Sequence, residues 1–108
     1  MRILIDECLN WRLGRALPGH LCTSVVKQGW SGIQTGHLLA LAVEGGFDVF
    51  ITGDRNLSFQ QNMTGIKIAV IVLAASGTQL HETLPLMAKV EVLLPTLVHG
   101  QTVIVAPS

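Results

Sequence analysis

The stretch "IKIAVIVL", Ile66 to Leu73, is apolar at every position except Lys67. A half-exposed strand alternates apolar and polar residues, and an amphipathic helix repeats them every third or fourth position. This run does neither, and its β-branched residues favour an extended backbone. The place for such a strand is within a parallel sheet whose two faces are both covered.

The rest of the chain supplies the cover. "RILI", Arg2 to Ile5, predicts a first strand, and Leu9, Leu13, Ala16 and Leu17 follow at the spacing of one helix face, stopped by Pro18-Gly19. "LCTSVV", Leu21 to Val26, alternates weakly and suits a strand at a sheet edge, and "KQGWSGIQTG" is a loop. In "HLLALAVEGG", Leu38, Leu41 and Ala42 share a helix face, with Thr35 as its cap and Gly45 at its end. "DVFIT" predicts the third strand, and "GDRNLSFQQNMTG" a loop with room for one helical turn. After the apolar fourth strand, Leu80, Leu84, Met87, Val90 and Leu94 predict a longer helix, with Thr83 as a cap and Pro85 in a first turn. "QTVIVA" closes the series as a fifth strand. This alternation predicts an α/β fold of three layers, α/β/α, around a mostly parallel five-stranded sheet. With 108 residues, the whole chain, 1–108, is expected to form a single domain. Right-handed crossovers would align the C-terminal strand ends along one edge, where open α/β sheets bind their ligands.

Composition narrows the functional classes. The chain is 49% hydrophobic and 13% charged, which excludes a disordered tail or linker. Seven basic and seven acidic residues cancel. That balance counts against a stand-alone, high-affinity nucleic-acid binder, but not against an enzyme that touches nucleic acid briefly. No uninterrupted apolar run approaches the roughly 18 residues of a membrane span. The acids of "ILIDE" fall too early for a signal peptide. Cys8 and Cys22 lack metal-type spacing and read as reduced thiols, so a cytoplasmic location is expected.

Two strands end in acids: "RILI" runs into Asp6-Glu7, and "VFIT" runs through Gly53 into Asp54. If those strands are neighbours, the two carboxylates emerge together, and a hard divalent cation relieves their repulsion. Such an ion can activate water and stabilise charge on a phosphodiester. Asn10 and Asn56 are placed to bind a metal-bound water or a phosphate. Asp is also a preferred helix cap and turn residue, so spacing alone leaves both readings open. Glu7 fits a solvated first-turn residue. Arg55, beside Asp54, suits a substrate phosphate or a local ion pair. Arg12 and Arg15 share a helix face that suits solvent or a phosphate backbone. Trp30 is a candidate for stacking, with packing beneath its loop as the simpler role. Gln60, Gln61 and Asn62 form a polar loop cluster without a turn role. Acids after the first and third strands also occur in phospho-accepting receivers, which need a late lysine after a strand. Here the one lysine after Lys67 is Lys89, inside a helical pattern.

"ILIDE", "GWSG" before "LLALA", "FITGDRNLSFQQN" and "IAVIVL" together resemble a small PIN-like domain, from Arg2 to about Leu97. The likeness is to the compact group that serves as the toxin in bacterial toxin–antitoxin pairs. The resemblance implies a metal-dependent endoribonuclease, a hydrolase using Mg²⁺ or Mn²⁺. It matches Asp6 and Asp54 to catalytic, metal-binding acids, and Thr52 to the threonine that orients a carboxylate. Its implied partners are RNA, an antitoxin protein and, for assembly, a second copy of the chain as a homodimer, with no membrane. One departure is visible. Such domains usually carry another acid at the start of the helix before the Thr-x-Asp strand, where Gly36 and His37 stand here. Imidazole suits Mn²⁺ or Zn²⁺ better than Mg²⁺. Glu44 and Asp48 lie too far along to substitute. A catalytically weak or inactive module that binds a protein partner is the alternative.

Overall fold

Short β-branched runs build a sheet of five strands in the computed structural model, which describes residues 1–56 and 65–107. The strands are β1 (Arg2–Ile5), β2 (Leu21–Ser24), β3 (Val49–Thr52), β4 (Ala69–Leu73) and β5 (Thr102–Val105). Their order is β2-β1-β3-β4-β5, and each neighbouring pair is parallel. The sheet is therefore parallel throughout, and β2 lies at an edge as its weak alternation predicts. Ile5 is level with Ser24 on one side and Ile51 on the other. The residues that follow β1, β2 and β3 consequently leave the sheet along the same edge.

Because side chains alternate along a strand, the sheet divides the core in two. Ile3, Ile5, Val49, Ile51, Ile71 and Leu73 face one side, where Leu9, Leu13 and Leu17 of the first crossover meet Leu86, Met87, Val90 and Leu94. Leu4, Phe50, Val70 and Val72 face the other, against Leu38, Leu39 and Ala42 of α1 (Thr35–Glu44). Every residue of β3 and β4 is buried. The α/β/α layering follows from these two apolar faces.

Several local expectations are corrected. The first crossover is a 3-10 helix, Trp11–Ala16, capped by Asn10, so Asp6 does not start it. Short 3-10 turns are common as connectors. Its Gly14 lies so near β2 that a Cβ there would come 2.7 Å from Cys22 Cβ. At α1 the cap position is Gln34, and Thr35 is already helical. β4 begins at Ala69, leaving Ile66 and Ile68 to pack against the α1-side core ahead of the strand.

The long helix over Leu80–Leu94 is broken. It comprises α2 (Leu80–Thr83), a 3-10 turn at Leu84–Leu86, α3 (Met87–Leu93) and a 3-10 turn at Leu94–Thr96. Pro85 and Pro95 stand at the starts of the two 3-10 turns, where a missing N–H and a bulky ring prevent regular α-helical bonding. Thr83 holds the N-cap position of the Leu84–Leu86 turn, which carries Pro85 at its start as expected, but makes no side-chain cap bond there. Its hydroxyl donates to the Gln79 carbonyl at 3.1 Å, while Gln79 and Glu82 form a capping box for α2. The helical turn predicted after Asp54 falls on residues 57–64, outside the described residues. Among the described residues no helix is long and apolar enough to cross a membrane.

Gly14→Val would force the crossover away from β2. The expected cost is about 1–3 kcal/mol of stability, read as a lowered urea midpoint at unchanged slope; an unchanged midpoint would contradict the close packing.

Candidate functional site

The strand order 2-1-3-4-5 reverses direction between β1 and β3, and beyond the ends of two such strands open α/β sheets form their ligand crevice. Asp6 enters it directly after β1, and Asp54 enters it two residues after the end of β3. The Asp6 N–H donates to the Ile51 carbonyl at 2.9 Å, which fixes the exit of β1 against β3.

Thr52 joins the two acids. It is 0% exposed, and a buried hydroxyl requires partners. Its Oγ1 donates to Asp6 Oδ2 at 2.6 Å and accepts the Asp54 N–H at 3.1 Å. Asp6 Oδ1 accepts the Glu7 N–H at 2.8 Å, and Asp54 Oδ1 accepts the Asn56 N–H at 3.0 Å. Both acids are thus partly engaged in turn geometry. Each carboxylate oxygen can accept more than one bond, so capacity remains for a ligand.

Cys8 belongs to the same cluster, which the sequence reading missed. Its thiol donates to Asp6 Oδ2 at 3.6 Å and lies 3.8 Å from Thr52 Oγ1. Cys8 is exposed at its surface, yet desolvation of the thiol raises its pKa above the ordinary value; a backbone hydrogen bond from Gly53 opposes this, and the Asp6 charge adds to the rise. The sequence signal was its position two residues after Asp6. Gly53 closes the far wall: a Cβ there would sit 2.8 Å from Thr78 Cγ2 and 3.2 Å from Leu9 Cδ2.

Other candidates are placed differently from expectation. Glu7 is exposed but not free, because its Oε2 accepts the Gly32 N–H at 3.1 Å and ties the crevice to the loop before α1. Asn10 spends its Oδ1 on the Arg12 N–H at 2.9 Å, as a cap. Arg55 donates to the Ala75 carbonyl just beyond β4, bracing the strand ends. Asn56 is exposed and contributes its backbone N–H to Asp54. His37 is exposed on α1, and among the described residues no three His, Cys, Asp or Glu side chains group to hold a metal. Asn62 lies outside the described residues, with Gln60 and Gln61. Trp30 is a packing residue, edge-on to Phe47 with ring centroids 6.1 Å apart.

The donor set can be matched to an ion by its chemistry. Carboxylate oxygens at one crevice suit Mg²⁺ or Mn²⁺. Mg²⁺ commonly uses one or two carboxylates and keeps several waters, and Asp6 and Asp54 are donors of that chemical type. A cage built from protein groups alone is not formed by the described residues. The fold and crevice define a three-layer α/β domain with paired acids at its switch point. No family model, curated protein or solved structure matches the chain.

Thr52→Val would remove the hydroxyl but keep its shape, leaving the Asp54 N–H without its acceptor. The expected loss is about 1–3 kcal/mol in urea unfolding, with Thr52→Ser losing less; equal stability of the valine variant would contradict the linkage. A raised thiol pKa means less thiolate at a given pH. Alkylation of folded Cys8 at pH 8 should therefore be slower than in urea-unfolded chain and should accelerate as pH rises. Equal rates in the two states would count against the raised pKa.

Proposed function

We propose that the chain is a metal-dependent ribonuclease of the PIN-like type, cutting RNA phosphodiesters at the Asp6–Asp54 crevice. The observation that carries this reading is the buried Thr52 hydroxyl, bonded to the carboxylate after β1 and to the backbone of the acid after β3. A side chain that orients one acid and positions the loop of another belongs to a prearranged site more than to two independent turns.

In this reading Asp6 and Asp54 hold Mg²⁺ or Mn²⁺, which when bound lowers the pKa of a water and offsets charge on the phosphodiester. Thr52 holds the Asp6 carboxylate in one rotamer. The neutral Cys8 thiol adds a second, weaker donor to the same oxygen. Asn56, exposed beside Asp54, is available to the substrate phosphate. Arg55 braces the loop through Ala75. A phospho-accepting receiver is less well supported, because Lys89 is engaged with the Ala106 carbonyl at 2.7 Å.

A second reading has its own support. With His37 exposed and no three-residue metal group among the described residues, a PIN-like module that binds an antitoxin or other protein without cutting RNA fits the same fold.

Purified protein should cut labelled RNA when Mn²⁺ or Mg²⁺ is added, and Asp6→Asn or Asp54→Asn should abolish the cut. Thr52→Val should slow it by about 10–100-fold, as for other partners of metal ligands. Equal cleavage by wild type and both Asn variants would sink the nuclease reading. Absence of cleavage across metals and RNAs, with a stable protein complex on co-purification, would favour the second.

A further inference from the structure

Beside the crevice, a groove of about 590 Å³ opens between the first crossover and the end of β2. Leu9, Trp11 and Val26 give it apolar walls, and Glu7, Asn10 and Lys27 its polar ones. Its volume lies within the range of small-ligand pockets, enough for a base and its ribose. Glu7 follows Asp6 in the chain, and Leu9 lies close to Gly53, so the groove lies beside the strand-end acids.

Trp11 is the unusual element. It is 52% exposed, and the Arg12 and Arg15 guanidinium carbons lie 4.7 and 4.9 Å from its ring centroid. The crossover therefore presents a half-exposed indole that lines the groove and carries two guanidinium groups stacked over its ring. Lys27 lines the groove with one acid, Glu7, and Arg12 and Arg15 border it through their stacking on Trp11. Asn10 uses its carbonyl oxygen as the helix cap, which leaves its amide N–H groups for the edge of a base.

We propose that this groove is a binding platform for single-stranded RNA, with a base stacked at Trp11 and the backbone held by Arg12, Arg15 and Lys27. The choice of RNA over other strands rests on the ribonuclease reading above; the platform itself rests on the groove. Single-strand binders combine a positive groove with aromatic stacking surfaces in this way. A duplex keeps its bases stacked on one another and cannot insert one here. An apolar protein partner would not require the three cations.

The test is anisotropy of a labelled single-stranded RNA of about ten nucleotides, measured in chelator so that binding is separated from cutting. Wild type should bind the strand and bind a duplex of the same sequence at least about tenfold more weakly. Trp11→Ala should weaken binding by about tenfold or more, and Trp11→Phe should restore most of it. Arg12→Gln with Arg15→Gln should flatten the salt dependence. Circular dichroism would establish that each variant is folded. No binding by wild type, as expected of a groove that serves a protein, would overturn the platform, as would equal duplex binding or a Trp11→Ala variant indistinguishable from wild type. Cleavage and binding measured side by side separate the two ideas. Strand binding without cleavage by wild type in Mn²⁺ would support the platform and contradict the nuclease. Metal-dependent cleavage with affinity indifferent to Trp11 would do the reverse.

Discussion

The buried Thr52 hydroxyl is the contact on which the crevice depends. It donates to Asp6 Oδ2 at 2.6 Å and accepts from the Asp54 N–H at 3.1 Å, so one atom couples the exits of β1 and β3. A hydroxyl bond to a charged carboxylate is shorter and stronger than a neutral one. Its full burial also makes any loss of partners costly, because no water can replace them. The acid that would bind a ligand is thereby held by a residue of the sheet, rather than by a loop.

The sheet makes that contact available. In a parallel sheet with β1 beside β3, and with Ile5 level with Ile51, the residues after both strands must leave at one height on one edge. Apolar side chains on both faces fix the register, since a slip of one residue would exchange the two core faces. The same edge carries the end of β2, and with it the groove beside Trp11. A neutral chain can thus still present a local positive surface next to paired acids. Net charge describes the sum of a surface and not its pattern.

Much of this was legible in the sequence. The five strands, the α1 helix and the placement of Asp6 and Asp54 at strand ends follow from periodicity and β-branching. What escaped is physical in origin. Leu9, Leu13 and Leu17 have helical spacing, yet the segment between them is a short 3-10 helix capped by Asn10, with Gly14 close against Cys22. The apolar pattern from Leu80 to Leu94 persists through two prolines, because core contacts need only the right face and not an unbroken helix. Cys8 read only as a reduced thiol without metal-type spacing, since its neighbours Asp6 and Thr52 come together only when β1 pairs with β3. Arg12 and Arg15 read as a face for solvent or a phosphate backbone, and their stacking on Trp11 escaped because it depends on the path of the crossover.

The central claim is that Asp6 and Asp54 form one divalent-ion site organised by Thr52. Paramagnetic broadening of backbone amide signals by substoichiometric Mn²⁺ tests it most directly. The account predicts broadening centred on Asp6–Cys8 and Gly53–Asn56, reversed by excess Mg²⁺ and lost in Asp54→Asn. Broadening centred elsewhere, or unchanged in that variant, would contradict it.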